Sequence, residues 1–205
     1  MKEFVAHLFP RLVLERNLRI TYTFCLGGLA FSSFLLLAAS GTLLLFYYQP
    51  TPENAFQSIL FLESSVFSGR VIRSAHRLSS HAFLVFIFLH MLRVILTGAY
   101  RRPRELNWLI GFGLLVMAVF SAYSGYLLPM DQLAYWATQT GMELLRILPF
   151  GETIRTFLVP DTVGGSLSLL RFYALHVMIV PAVVVLLTGW HFYRVRKDKG
   201  LLPYL

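Results

Sequence analysis

The sequence predicts an all-α membrane protein, a four-transmembrane-helix bundle with short surface helices. Hydrophobic residues make up 57% of its 205 residues, and its mean hydropathy is +0.65; both values are typical of chains that lie largely in lipid. Four nearly uncharged stretches are long enough to cross about 30 Å of hydrocarbon as helices. They cover approximately 20–48, 74–99, 106–128 and 172–193.

The segments around these stretches complete the predicted architecture. Residues 1–19 mix apolar and basic side chains, which predicts an amphipathic arm on the cytoplasmic surface, and 20–205 then form the four-helix domain. The first stretch is too long for a signal-peptide core and lacks a clear cleavage pattern, so we expect a retained helix. Segment 128–158 has helical periodicity, which predicts short helices on the outer surface, either as a structural cap or as a wall of a pocket.

The net charge of +8 follows a membrane topology and does not indicate nucleic-acid binding. Basic residues are concentrated in the amino-terminal arm, the second loop and the tail, whereas acidic residues offset the basic ones in the other two loops. The positive-inside rule therefore places both termini on the cytoplasmic side. The single cysteine excludes an intrachain disulfide and any CxxC or CxxCH site.

Two of the hydrophobic stretches each carry a pair of histidines. His76 and His90 are 14 residues apart, and His176 and His191 are 15 apart. Fourteen residues of α-helix return to within roughly 40° of the same face, about 21 Å further along. In an antiparallel bundle, His76 then pairs with His176 near the positive side and His90 with His191 near the cytoplasm. Each pair offers the two axial nitrogens that bis-histidine haem ligation needs.

Other interpretations of these histidines exist. One isolated histidine in a membrane helix usually only hydrogen-bonds a neighbouring helix, whereas two matched pairs favour haem because burial of four polar rings is costly. A haem-free proton or ion transporter would use histidines as relays, but relays do not require a repeated interval.

Glycines repeat the interval of the histidines on the first and third stretches, in two pairs 14 residues apart. Close helix packing is the usual reason for glycine in a membrane helix, but the shared interval favours close approach of the backbone to a flat macrocycle. The candidate haem-packing residues are Gly27, Gly41, Gly111 and Gly125.

Three arginines lie close to the histidines in the sequence. Arg73 and Arg77 flank His76, and Arg93 lies one turn from His90. Such guanidinium groups are suited to binding haem propionates, and snorkelling at helix ends is the alternative.

Several motifs together resemble the cytochrome b family, most closely its cytochrome b6 branch, over about residues 20–205. They are CLGG at 25–28, FYYQPTPENAF at 46–56, IRSAHR at 72–77, LTGAYRRPREL at 96–106, SGYLLPMDQ at 124–132, YWA at 135–137 and LLRFYALH at 169–176.

The resemblance implies a non-autonomous redox subunit of a quinol-oxidising bc- or b6f-type complex in an electron-transport chain. Electrons would cross the membrane through two haems b in a Q cycle that contributes to a proton gradient. By the resemblance, His76 and His176 ligate the low-potential haem, His90 and His191 ligate the high-potential haem, and the three arginines hold propionates. Residues matching part of the quinol pocket are Tyr126 and Pro129.

Cys25 stands where a cytochrome b6 cysteine, just before GG, carries an extra haem c through one thioether bond. The resemblance therefore implies a third, covalent haem. The alternative is a buried small residue, which is common for free cysteine.

Two departures from the family pattern concern the quinol pocket and its neighbourhood. Met130 stands in place of the usual tryptophan of LPWDQ, and Ala122 replaces a glycine of many relatives. The chain ends after the fourth stretch without a PEWY-type segment, so we expect a second, subunit-IV-like membrane subunit to complete the pocket.

The further partners implied are a Rieske iron–sulfur protein, a c-type cytochrome or other acceptor, and a second copy of the complex. A bacterial inner membrane is favoured over a thylakoid. The rival interpretation is a di-haem b membrane anchor of a quinone-linked dehydrogenase or hydrogenase, whose partners would be peripheral iron–sulfur subunits.

Overall fold

A computed structural model describes residues 24–197, so the predicted arm at 1–19 lies outside the described residues. The described chain is helical throughout its regular structure, which confirms the predicted all-α fold. Its helices are α1 Leu26–Leu45, α2 Ala55–Ser65, α3 Gly69–Leu96, α4 Glu105–Leu127, α5 Gln132–Leu145, α6 Gly151–Leu158, α7 Ser166–Ala174 and α8 Val180–Lys197, with a π-helical turn, Leu175–Ile179, between α7 and α8.

Among residues 24–197, four helices are long and apolar enough to cross a membrane, as predicted. They are α1, α3, α4 and the continuous helix Ser166–Lys197 that α7, the π-helical turn and α8 form. Three of them begin before the predicted limits. Helix α3 begins at Gly69 rather than 74, α4 at Glu105 rather than 106, and the last helix at Ser166 rather than 172. Hydrophobicity marks only the part of a helix that lies in lipid, so polar end turns extend beyond it.

Large apolar side chains cover the outside of these helices. Leu186 of α8 is 73% exposed, and Leu78 of α3 is 66% exposed. Such exposure would be unusual for a protein in water, and it fits helices whose solvent is lipid.

The chain divides into two compact units. Of the described residues, the first unit comprises 24–35, Ser80–Ala118 and 182–197, and the second comprises Leu36–Ser79 and Val119–Pro181. The His90–His191 pair lies in the first unit and the His76–His176 pair in the second.

Aromatic contacts join the helices of the first unit. The rings of Phe31 and Phe192 meet edge to face at 5.1 Å, and those of Phe34 and Phe83 lie 6.0 Å apart. These contacts link α1 to α8 and to α3.

The second unit contains a buried hydrophobic core. Its members come from α2, α4, α5, α6, α7 and the loop before α7: Ala55, Leu127, Met142, Leu158, Val159, Val163, Leu169 and Phe172. The short helices α5 and α6, which were predicted, thus pack around one end of α4 and α7. The short helix α2 was not predicted, and its buried residues Ala55, Ser58 and Leu62 lie on one helical face.

Candidate haem sites

The second unit brings His76 of α3 and His176 of the π-helical turn together. Their ring centres lie 6.3 Å apart with an interplanar angle of 78°. Nδ1 of His76 lies 3.0 Å from the Ser40 hydroxyl. Nδ1 of His176 lies 2.9 Å from the Ser121 carbonyl oxygen and 3.3 Å from the Ser124 hydroxyl.

The first unit brings His90 of α3 and His191 of α8 together with similar geometry. Their ring centres lie 6.5 Å apart at an interplanar angle of 82°. Nδ1 of His191 is buried without a hydrogen bond of normal geometry, and a weaker interaction links this ring to the backbone of Asn107.

Each of the four predicted glycines lies against one of the four histidine rings. A Cβ added at Gly27 would lie 3.2 Å from Cε1 of His90, and one at Gly41 would lie 3.1 Å from Cε1 of His76. Helix α4 repeats this arrangement. The corresponding distances are 3.3 Å for Gly111 to His191 and 2.4 Å for Gly125 to His176.

The predicted arginines differ in their surroundings. Arg73 forms an ion pair with Glu63 of α2, a partner that sequence reasoning did not find. Arg77 is exposed, and Arg93 is half-buried in the last turn of α3.

Cys25 precedes the first residue of α1. Its side chain is exposed, so the description as a buried small residue does not fit. Its φ is +50°, in the left-handed region that few non-glycine residues adopt, and its carbonyl accepts the Leu29 amide at 2.8 Å.

The residues predicted for the quinol pocket lie at the end of α4. Tyr126 is 46% exposed, and Pro129 is half-buried in the turn that follows. Met130 has a φ of +53°, and its methyl group would lie 2.5 Å from a Cβ on Gly164. Met130 is thus packed against the loop that leads to α7.

Tyr48 also ties this end of α4 in place, and the sequence did not single it out. Its hydroxyl donates to the Leu128 carbonyl at 2.7 Å, and its ring stacks on Tyr173 with centres 5.6 Å apart. Burial, with a smaller contribution from Tyr173, raises the pKa of Tyr48 above its usual value, so the hydroxyl stays protonated and remains a donor.

The spacing of the histidine rings tests whether haem fits. A metal–imidazole bond is about 2 Å long and the ring centre lies about 1.2 Å behind the nitrogen, so imidazoles on opposite sides of one ion have centres about 6.4 Å apart. The two pairs, at 6.3 Å and 6.5 Å, match this value. Two imidazoles at this separation are the donor set of bis-histidine haem ligation. The residues fit haem.

Comparisons with known proteins agree with these features. A family model described as Cytochrome b(N-terminal)/b6/petB matches residues 81–204. Cytochrome b6 of Heliomicrobium gestii is 46% identical over 84% of this chain and 82% of the relative. The menaquinol:cytochrome c reductase cytochrome b subunit of Bacillus subtilis is 35% identical over 96% of this chain and 89% of the relative. A solved structure of a hyperthermophilic respiratory Complex III matches 96% of this chain and 55% of its own, with 28% identity and a TM-score of 0.79.

The helices and the paired histidines define an integral membrane protein of the cytochrome type. The family model and the relatives show which one: the chain belongs to the cytochrome b family, in the group of N-terminal cytochrome b and b6 domains. The resemblance inferred from the sequence motifs is therefore confirmed, and membership of this family implies haem b binding.

Proposed function

We propose that the chain is the electron-transfer subunit of a quinol-oxidising complex of the bc or b6f type and that it binds two haems b. One would be held by His76 and His176, and the other by His90 and His191. The observation that carries this proposal is the separation of the ring centres, 6.3 Å and 6.5 Å. When bound, haem b supplies reversible one-electron reduction.

The side chains around each pair have distinct tasks in this proposal. The histidines present one ring nitrogen each to the iron, and the four glycines leave room for the imidazole rings. Arg73, Arg77 and Arg93 neutralise the haem propionates. Before haem binds, the ion pair with Glu63 keeps the Arg73 side chain oriented. The surrounding apolar helices exclude water, which lets the protein set the reduction potentials by burial and hydrogen bonding.

The proposed role in the complex is one half of a Q cycle. A quinol is oxidised near Tyr126 and Pro129 at the positive side, one electron leaves to a Rieske iron–sulfur protein, and the other crosses the membrane to a quinone site near the cytoplasm. Proton release on one side and uptake on the other build the gradient. The name of the Bacillus subtilis relative supports menaquinol as the substrate class.

The partners and the orientation belong to the same proposal. We infer a subunit-IV-like membrane protein that completes the quinol pocket, a c-type cytochrome or other acceptor, and a dimeric complex. Both termini lie on the cytoplasmic side of a bacterial inner membrane, as the distribution of basic residues indicates. The names of the relatives favour this assembly over a dehydrogenase or hydrogenase anchor.

A third haem at Cys25 is part of the proposal. The exposed side chain at the start of α1 is accessible for one thioether bond, and Cys25 belongs to the same unit as the His90–His191 pair. A covalent haem c there would lie on the quinone-reducing side.

Purification of the complex followed by pyridine-haemochrome spectra tests the proposal. We expect two extractable haems b per chain in the wild type and one in each of His76→Leu and His90→Leu. His81 is an exposed histidine of α3, so His81→Leu should retain both haems. A wild type without haem b would refute the proposal. Haem stain retained on the denatured chain and lost in Cys25→Ala would establish the third haem, and co-purification of a Rieske protein would exclude the rival anchor.

A further inference from the structure

Two of the four haem-facing glycines are preceded by a serine, and the other two are preceded by an aliphatic residue. The dipeptides are Ser40-Gly41 and Ser124-Gly125 at the His76–His176 pair, and Leu26-Gly27 and Ile110-Gly111 at the His90–His191 pair. The serines are almost fully buried, at 8% and 0% exposure. The two sites therefore differ in the group next to Nδ1 of the histidines.

The hydrogen bonds at the serine-containing site fix which nitrogen carries the proton. The Ser40 hydroxyl donates to the Leu36 carbonyl at 2.6 Å, so its oxygen accepts from Nδ1–H of His76 at 3.0 Å. Around His176, the Ser121 carbonyl at 2.9 Å is solely an acceptor, so Nδ1 must be the donor there as well. Both rings then have Nε2 deprotonated and available as a ligand.

The other site lacks this arrangement. Nδ1 of His191 has no hydrogen bond of normal geometry, and none of the hydrogen bonds of residues 24–197 joins a hydroxyl group to His90 or His191. The residue before Gly111 is Ile110, which is 5% exposed and has no polar side-chain atom.

We propose that Ser40 and Ser124 are positioning residues that hold Nδ1–H of His76 and His176 and thereby lower the reduction potential of the haem between them. The inference rests on the proposed function, because it takes both pairs as haem ligands. A hydrogen bond from Nδ1–H increases the electron-donating power of the imidazole, and a stronger donor stabilises ferric over ferrous iron. The haem between His90 and His191, without hydroxyl acceptors, then has the higher potential.

The size of the effect differs between the two serines. Ser40 provides the hydrogen bond of normal geometry to His76, beside a weaker interaction of this ring with the Leu37 backbone, whereas His176 retains the Ser121 carbonyl at 2.9 Å when Ser124 is removed. Ser40→Ala should therefore raise the potential more than Ser124→Ala. At the wild-type midpoint, we expect Ser40→Ala to change the ferrous-to-ferric ratio by about threefold to tenfold, which is ~28 to ~59 mV for one electron.

Ser33 supplies a matched control in the same helix. It lies seven residues before Ser40, on nearly the same helical face, is 6% exposed, and donates to the Leu29 carbonyl at 2.9 Å. Ser33→Ala thus removes a similarly buried hydroxyl with no hydrogen bond to a histidine among residues 24–197, and both potentials should stay unchanged.

A gain-of-function variant tests the same idea in the opposite direction. Ile110→Thr keeps the branch at Cβ, removes the terminal methyl group, and places a hydroxyl at the position before Gly111 that corresponds to Ser124 before Gly125. Ile110→Val is the matched control, because it removes the same methyl group without adding a hydroxyl. We expect the potential of the haem between His90 and His191 to fall while the other potential stays constant.

Potentiometric titration of the purified complex, followed at the haem b absorption bands, measures all five variants. The proposal is overturned if Ser40→Ala binds two haems b with both midpoints unchanged, or if Ser33→Ala raises the lower midpoint as much as Ser40→Ala does. Failure of the proposed function gives a different result, because the wild-type complex would then lack two titrating haems b.

Discussion

A Cβ on Gly125 would lie 2.4 Å from Cε1 of His176 and 2.9 Å from both of its ring nitrogens. Carbon atoms in contact lie about 3.5–4.0 Å apart, so a side chain at this position and the observed ring cannot coexist. Gly125 therefore determines where the imidazole of His176 lies.

Gly125→Ala is expected to weaken haem binding by the His76–His176 pair. The added methyl group must displace the ring, and overpacking of this kind costs about 1–3 kcal/mol. We expect less haem at this site and an unchanged amount at the other, measured as the two components of a potentiometric titration.

Gly28→Ala and Gly189→Ala are the controls for this variant, because a Cβ at either position meets nothing within 4 Å. The other three glycines that face histidine rings, with contacts of 3.1–3.3 Å, should show intermediate losses of haem when changed to alanine. Equal losses in Gly125→Ala and Gly28→Ala would mean that the helix, and not the contact with His176, is sensitive to the substitution.

The register of the sites could be predicted from the sequence, whereas their polar contacts could not. A 14-residue repeat of glycine and histidine is visible without coordinates, because helical geometry converts it into a face. Ser40 and Ser124 precede two of the predicted glycines in the sequence. Whether a serine side chain points toward a neighbouring helix depends on how each helix is rotated about its axis in the packed structure. The sequence likewise showed Arg73 beside His76, but not its ion pair with Glu63, because α2 was not predicted.

Tyr48→Phe should loosen the link between the α1–α2 loop and the end of α4. The variant retains the ring that stacks on Tyr173 and removes the hydroxyl that donates to the Leu128 carbonyl. Loss of one part-buried hydrogen bond costs about 1 kcal/mol, which should lower the thermal unfolding midpoint of the complex.

Tyr47→Phe is the neighbouring control, since Tyr47 is 36% exposed and its hydroxyl has no hydrogen bond to residues 24–197. Because burial raises the pKa of Tyr48, the difference between the two variants should remain constant from neutral to mildly alkaline pH. A difference that disappears below pH 9 would contradict the raised pKa.

Asp161 organises the start of α7, the helix that leads to His176. Its carboxylate accepts the amides of Leu167 at 2.9 Å and Ser168 at 3.1 Å, and also the Ser168 hydroxyl. Burial by itself would raise the pKa of Asp161, but these hydrogen bonds outweigh it and hold the pKa below the usual 3.8. Gly165 provides the space, as a Cβ there would lie 2.4 Å from the carboxylate.

Asp161→Asn is expected to destabilise the complex at neutral pH by about 1 kcal/mol, as for loss of a capping residue. Since the folded pKa is lowered, the stabilisation by Asp161 is present above pH 3.8 and is lost as the pH falls through the lower, folded value. Thermal unfolding as a function of pH measures this, with the exposed Glu53→Gln as control. A wild type and Asp161→Asn that differ equally at pH 7 and pH 2 would contradict this role.

The unequal intervals between the histidines could not be explained from the sequence. The interval from His176 to His191 is one residue longer than that from His76 to His90. In the π-helical turn the Val180 amide donates to the Leu175 carbonyl, five residues back where an α-helix uses four, so this turn takes up one additional residue. Pro181 follows and lacks an amide hydrogen, which weakens α-helical bonding at this place.

Removal of one residue should therefore have different effects in the two helices. Deletion of Val177 shortens the longer interval to the 14 residues that α3 spans with α-helix alone, so the turn can become α-helical and both pairs should still bind haem. Deletion of Val85, a lipid-exposed residue of α3, leaves 13 residues and rotates one histidine by about 100° relative to the other. This second variant should lose one of the two proposed haems b, counted per chain by pyridine haemochrome. If both deletions lose haem to the same extent, the additional residue in the π-helical turn is required in itself, and the 14-residue α-helical interval is not what the sites demand.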